Sequence, residues 1–289
     1  MFNNAATIRE QLTALTLQTY EGSWEVVVAD NGSVDDSVAQ VEQFEGKLPG
    51  LQVVDASGTR GVSHARNVGA KAGRGRFILY SDGDDIVTPG WVTALAGRLP
   101  DASLAGGPVE EVSLNPKYAR EWGDPRVPRD RFNVVHGYLP NIRGTNLAIR
   151  REDFEALGGW NEEYLFAEDV ELSWRALHAG YDLQFVPEAI VRYRRRNTIP
   201  ALAHQQYRRA TSNSRYLLLR DFGSHGYQPR SDKSEAIGSV GWAVKTAPLA
   251  LVSRKRRGLL AGKLAYGLGW AVGARGRRGM RKNSTPTPG

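Results

Sequence analysis

No cysteine occurs among the 289 residues of this chain. That absence excludes disulfides, cysteine-ligated zinc and thiol nucleophiles, and it fits a reducing compartment. No uncharged apolar run approaches the ~18 residues that would suggest a membrane span. The opening MFNNAATIREQL has neither the basic nor the apolar region of a secretory leader. A dinucleotide oxidoreductase would show GxGxxG after its first strand, and a nucleotidyltransferase a Gly-rich loop with a lysine near the N-terminus; neither is present. The five histidines, His64, His136, His178, His204 and His225, lack metal-ligand spacing. Acid is missing from one region: Ala236 to Gly289 holds 11 Lys and Arg and no Asp or Glu, while residues 1–235 hold 27 Lys and Arg against 31 Asp and Glu. The overall charge of +7 therefore belongs to a tail, and the body is mildly acidic.

Hydrophobic residues make up 41%, enough for a real core. Ile8, Leu12, Leu15 and Leu17 recur at near-helical spacing over 5–19, with Asn3 or Asn4 as cap. Trp24 to Ala29 is a predicted strand, closed by Asp30-Asn31-Gly32-Ser33. Helix is expected over 34–44, strand over 51–54, helix over 61–72, strand over 76–80 and helix over 89–99. This alternation predicts an α/β domain with a parallel sheet covered on both faces. Ligands of such sheets sit at the carboxyl ends of the strands. Asp30 follows one strand and Asp82 another, so both acidic turns belong to one edge. The second half predicts strands at 104–112, 147–149, 182–186 and 190–193, a long polar stretch, and helices at 151–157 and 167–179.

A cluster of carboxylates follows the third strand, in ILYSDGDDIVTPGW at 78–91. Asp82, Asp84 and Asp85 fall within four positions and repel one another unless something positive lies among them. Spacing alone leaves a solvated turn and a divalent metal both open.

Taken in order, DNGSVDDS (30–37), GVSHARNVGA (61–70), SDGDD (81–85), GTNLAIRREDFEALGGWNE (144–162), EDVELSWRALHAGY (168–181) and VPEAIVRYRRR (186–196) resemble the motifs of the family 2 glycosyltransferases over roughly residues 1–196. The resemblance implies a GT-A fold, a Rossmann-like, mostly parallel sheet flanked by helices. It implies inverting, metal-dependent transfer of a sugar from a UDP-, dTDP- or GDP-linked donor to a hydroxyl acceptor, lipid-linked acceptors included, in cell-envelope polysaccharide or glycolipid synthesis. Residues 1–100 would form the nucleotide-sugar half, 101–196 the acceptor and catalytic half, and 197–289 a basic helical extension.

Single residues follow from the same matches. Asp82 and Asp84 match the DXD pair that holds Mg2+ or Mn2+ against the leaving diphosphate, Asp84 more directly. Asp30 and Asn31 match the pair that contacts the nucleoside; many members carry Asp where Asn31 stands, which leaves the base open. Arg66 and Asn67 match the ARN that meets phosphate oxygens. Asp169 matches the general base that takes the acceptor proton, and Glu168 beside it orients acceptor or base. Gly159 and Trp160 fall on the acceptor side, with Trp160 read either as a sugar-stacking ring or as core. Phe2 falls on the aromatic of a Pro-x-aromatic-Asn motif of the donor side. In the family an apolar strand precedes that motif; here the sequence starts at Met1-Phe2-Asn3-Asn4, so the resemblance implies that Met1 lies inside a longer reading frame.

Two other readings stay beside it. A catalytically weak nucleotide-sugar binder would keep the donor motifs. A nucleic-acid module led by the tail would leave DGDD and EDVEL unexplained and has no reader motif, so nucleic acid is not an expected partner. In the tail, Trp242, Trp270 and Arg254-Lys255-Arg256-Arg257 suit an anionic membrane surface on the cytoplasmic face, unless the apolar residues, Leu249 to Val252 among them, pack back onto the body. Gly258, Gly262, Gly267 and Gly269 predict short helical pieces, and Asn283 to Gly289 a disordered end.

Overall fold

The β-branched run after Trp24 becomes β1 (Val27–Asp30), which pairs in parallel with β2 (Gln52–Asp55), Val27 opposite Gln52 and Asp30 opposite Asp55. The computed structural model that contains this pair describes residues 1–123, 127–128, 130–228, 237–243 and 253–282. Leu249 to Val252 and Asn283 to Gly289 lie outside the described residues. The chain divides into a first unit, Met1–Leu114 with Arg126–Arg194, and a second, Asn115–Pro125 with Arg195–Gly289.

In the first unit, Ile8 and Leu12 of α1 (Ile8–Thr16) meet Val28 of β1, Val41 of α2 (Ser37–Glu42), Phe44 and Leu48 in one small core. The carbonyls of Val26 and Asp30 accept from Gln52 and Ala56. The alternate positions of β1 take Met1 instead: its amino group donates to the Ala29 carbonyl at 2.7 Å, and the Asn31 N–H donates to its carbonyl at 2.8 Å. Next come α3 (Val62–Ala72), β3 (Phe77–Tyr80), β4 (Ile86–Val87) and α4 (Trp91–Arg98). The larger sheet has the order β10 (Leu183–Phe185), β5 (Leu104–Gly106), β9 (Leu147–Arg150), β3. Parallel pairing holds for β1–β2 and for β5–β10, but β9 runs antiparallel to both neighbours. An apolar run such as Leu147-Ala148-Ile149 is buried on both faces and reads alike in either direction. Leu104, Leu147, Ile149 and, from α7 (Glu168–His178), Leu172 are fully buried in the core this sheet shares with α7, each stabilising it by ~1.5–3 kcal/mol.

The single strand expected at 104–112 is two, β5 and β6 (Val109–Glu110). Gly107-Pro108 breaks it: a Cβ on Gly107 would lie 2.0 Å from the Ala189 carbonyl, and proline has no N–H for a ladder. β6 joins a second small sheet, in the order β4, β11 (Val191–Arg192), β6. A hairpin, β7 (Asn133–Val135) and β8 (Leu139–Asn141), occupies the stretch read only as polar. It turns at His136 and Gly137, both at positive φ. A short α6 (Arg151–Ala156) follows β9.

The second unit is helical: α5 (Lys117–Arg120), α8 (Ile199–Thr211), α9 (Ser214–Phe222), α10 at 237–243 and α11 (Arg254–Lys282). The Thr198 hydroxyl caps α8 by accepting from the Ala201 N–H at 3.3 Å. Ala119, Trp122, Leu202 and Leu259 form its core. The expectation of short pieces is corrected: α11 is one helix of 29 residues. Glycines cost up to ~1 kcal/mol each in an isolated helix, but here Gly258, Gly262 and Gly269 form a packing face. A Cβ on Gly269 would lie 2.5 Å from the Tyr207 carbonyl, and one on Gly258 2.1 Å from the Trp122 indole. Among the described residues, no helix is long and apolar enough to cross a membrane.

Candidate active site

The loop after β3 gathers the acids. Carboxylate oxygens of Asp82, Asp84 and Asp85 lie within 4.8 Å of one another. Three hard oxygen donors so close suit Mg2+ or Mn2+ better than softer metals. Asp85 acts differently from the other two. It is 1% exposed, accepts from the Thr145 hydroxyl, and accepts from the Arg194 N–H at 2.8 Å. Burial, and Asp82 after it, push its carboxyl up to about 8. Asp85 thus anchors the loop, while Asp82 and Asp84 are half-buried. Arg194 fixes the loop further, donating from Nε to the Asp84 carbonyl at 2.9 Å and pairing with Glu10 at 2.9 Å.

Arg66, on α3, links this loop to the start of α7. Its Nη2 meets Asp82 and its Nη1 meets Glu168, each at 3.0 Å. The approach depends on Gly144, where a Cβ would lie 2.6 Å from the guanidinium. Burial alone would lower the pKa of Arg66; Asp82 and then Glu168 reverse that and hold it above its ordinary value. Burial, then Asp169, push Glu168 up to about 7 against the pull of Arg66. Asp169 accepts from the Gly144 N–H at 3.1 Å and from the Val170 N–H at 2.8 Å. α7 begins after Ala167, a non-glycine residue at φ 61°, and three acids occupy its first turn. Both acidic turns also surround the Met1 amino group, whose pKa burial lowers while Asp82, Asp30 and Asp84 raise it.

The other expected site residues are placed as follows. Asn67 grips the backbone of Trp160, accepting from its N–H and donating to its carbonyl, both at 2.9 Å, and donates to Glu162 at 2.9 Å. Gly159 lies against Asn67 at φ 76° and borders a pocket of about 310 Å³ with Arg151 and Glu155; none of the clustered aspartates lines it. Of the two readings of Trp160, sugar-stacking ring or core, the packing favours core. The ring is 2% exposed, edge-on to Tyr80 at 5.2 Å, with the Arg66 guanidinium 4.6 Å from its centre, so it is core beneath the site. Asp30 accepts from the N–H and hydroxyl of Ser33. The Asn31 amide donates to the carbonyls of Ala56 and Thr59 at 2.5 and 2.8 Å and accepts from the Gly61 N–H at 2.9 Å, which pins the loop into α3. Phe2 is exposed, with Arg60 5.5 Å from its ring.

Sequence reasoning missed the anchoring role of Asp85 and the parts played by Gly144, Thr145 and Asn146. The third acid of SDGDD and the GTN before β9 were the signals available for them. Asn146 is fully buried; it accepts from the Trp91 indole N–H at 2.8 Å and donates to the Ala189 carbonyl at 2.8 Å and the Pro108 carbonyl at 3.0 Å.

A turn of three clustered carboxylates, a buried arginine and an acidic helix start lie on one α/β scaffold, and solved structures show that scaffold to be the GT-A fold. A mannosyltransferase from Pyrobaculum calidifontis, determined with GDP-Man and Mn2+, superposes with TM-score 0.59 at 17% identity, covering 94% of this chain and 84% of its own. S. aureus TarS 1-349 in complex with UDP-GlcNAc gives 0.55 at 16% identity, covering 96% and 90%. By sequence, residues 1–158 match Glycosyl transferase family 2, and the chain belongs to that family. Glycosyltransferase AglE of Haloferax volcanii is 31% identical over 196 residues, 66% of this chain and 63% of that protein. Poly-beta-1,6-N-acetyl-D-glucosamine synthase of Staphylococcus epidermidis is 22% identical over 244 residues, 77% of this chain and 55% of that protein. The chain thus spans about half to two-thirds of the length of these curated relatives.

Proposed function

We propose that the chain is an inverting, metal-dependent glycosyltransferase that moves a sugar from a nucleotide-diphosphate donor to a hydroxyl acceptor. The observation that carries this reading is the Arg66 bridge: one buried guanidinium ties a DXD carboxylate, Asp82, to the acidic start of α7. Asp82 and Asp84 would hold Mg2+ or Mn2+, which when bound supplies positive charge against that developing on the departing diphosphate. Arg66, with the N-terminal turn of α3, offers donors to phosphate oxygens. Phe2, Asp30 and Asn31 frame the nucleoside side, and Asn67 and Gly159 the approach of the acceptor. Asp169 takes the proton from the acceptor hydroxyl as that oxygen attacks the anomeric carbon opposite the diphosphate. The new C–O bond forms as the bond to the diphosphate breaks, so the configuration inverts. The two N–H groups on Asp169 fix its direction. Glu168 stands between Arg66 and Asp169 and orients both.

The structural relatives were solved with GDP-Man and with UDP-GlcNAc, which makes GDP-, UDP- and dTDP-sugars the donors to screen. The staphylococcal relative, a polysaccharide synthase by name, supports a polysaccharide acceptor; a glycolipid or other lipid-linked acceptor of the cell envelope is part of this reading. The test is transfer from each donor with Mn2+ and with chelator, the anomer of the product being read by NMR. An inverted product is expected, with turnover of Asp169→Asn lowered by about 10²-fold or more and donor binding intact. Retention of configuration, or an Asp169→Asn variant as fast as the parent, would sink the assignment.

A further inference from the structure

We infer that the second unit docks on an anionic lipid surface through the outer face of α11 together with α10. By sequence the first unit holds 17 Lys and Arg against 26 Asp and Glu, a net charge of −9; the second holds 21 against 5, a net of +16. Positive charge alone does not choose between lipid and nucleic acid. The apolar residues do. Gly258, Gly262 and Gly269 fall on one face of α11, which lies against Trp122, Leu202 and Tyr207. Leu264, Leu268 and Val272 recur every fourth residue away from that face and are 46%, 62% and 43% exposed. Packing within the unit therefore does not account for them. On α10, Ile237, Val240 and Trp242 are exposed as well. Arg256, Arg257 and Lys263 stand exposed on the same helix as the leucines.

A row of exposed leucine and valine beside arginine and lysine, with an exposed tryptophan on the neighbouring helix, is the composition of a helix that lies in a headgroup layer. Nucleic acid would be served by the charges and would leave the leucine row without a role. The inference is independent of the donor site, which lies wholly within the first unit.

The test is sedimentation of the intact chain with phosphatidylcholine vesicles, with and without phosphatidylglycerol, at low and high salt. Binding is expected only to the anionic vesicles and should weaken with salt. Arg256→Gln and Arg257→Gln should each weaken it roughly fivefold. Leu264→Gln with Leu268→Gln should weaken it on the order of tenfold or more, since both side chains leave the apolar layer. Far-UV circular dichroism checks that helicity survives; if it falls, Val272→Gln repeats the test at a third exposed position. Mn2+-dependent hydrolysis of the donor, read in the same variants, reports on the first unit separately. The proposal is overturned if the intact chain ignores anionic vesicles at low salt, or binds neutral vesicles as well. It is also overturned if the leucine substitutions leave vesicle binding unchanged. Binding of duplex DNA without vesicle binding would assign the surface to nucleic acid, and dimerisation abolished by the leucine substitutions without vesicle binding would assign it to a second copy.

Discussion

The two units treat charge in opposite ways. In the first, like charges are crowded into one loop and held there by directed bonds: Thr145 and the Arg194 N–H on Asp85, and one buried arginine on Asp82 and Glu168. In the second, positive charge lies along exposed helix with few carboxylates near it, Lys255 with Glu121 at 3.2 Å being one such pair. Crowded charge is costly unless something positive answers it, which is the physical ground for the metal proposed there. Dispersed charge costs little and suits an extended partner. The overall +7 describes neither unit.

Asp84→Asn acts on the crowded side and should have the largest effect. Loss of a metal ligand should cost turnover on the order of 10³-fold, the scale of several kcal/mol of charge stabilisation. Donor binding should lose its dependence on Mn2+, and the far-UV circular dichroism should not change. Full activity of this variant with chelator present would remove the metal from the account. On the helical side, Gly269→Val should be next, because its side chain collides with the Tyr207 carbonyl. Overpacking of this kind costs ~1–3 kcal/mol. A lower melting temperature is expected with Mn2+-dependent donor hydrolysis retained; an unchanged melting curve would mean that the glycine face does not set the spacing of α8 and α11.

The smallest effect sharpens the contrast through pH. Glu168 has a folded pKa raised above its unfolded one, so the stability it contributes is complete below the unfolded value and is lost as pH rises toward about 7. Glu168→Gln removes that dependence. The melting temperatures of the variant at about pH 5 and about pH 8 should lie closer together than those of the parent. An equal spread in both proteins would show that the carboxyl ionises as freely folded as unfolded.

The crowded side was the more legible in sequence. β-α alternation gave β1 to β3 and their helices because period and turn residues are local signals, and SDGDD stands where a strand visibly ends. The direction of β9 was not legible, since a doubly buried strand carries no mark of its partner's sense. The role of Asp85 was hidden because Thr145 and Arg194 lie 60 and 109 residues away in the chain. Trp160 could be read as ring or core from GGW alone, and only the Arg66 and Tyr80 packing decides it. The long α11 was misread because glycine propensity is a local rule and the contacts that override it come from α5 and α8.

Trp122 has a further consequence, for the order in which the chain becomes stable during synthesis. Its indole N–H donates to the Lys255 carbonyl at 3.0 Å, and its ring fills the space that a side chain at Gly258 would need. The segment 115–125 is thus an early-made part of a late-made body. It leaves the ribosome more than a hundred residues before α11, and until then Ala119 and Trp122 lack the part of their cover that Leu259 and Gly258 supply. A nascent chain paused between the two would expose this patch for seconds at ordinary elongation rates, and a chain cut after Arg194 would expose it permanently. Removing the basic helix is therefore not a neutral trimming of a tail: it converts a tryptophan from core to surface and creates a sticky site that the intact protein does not have.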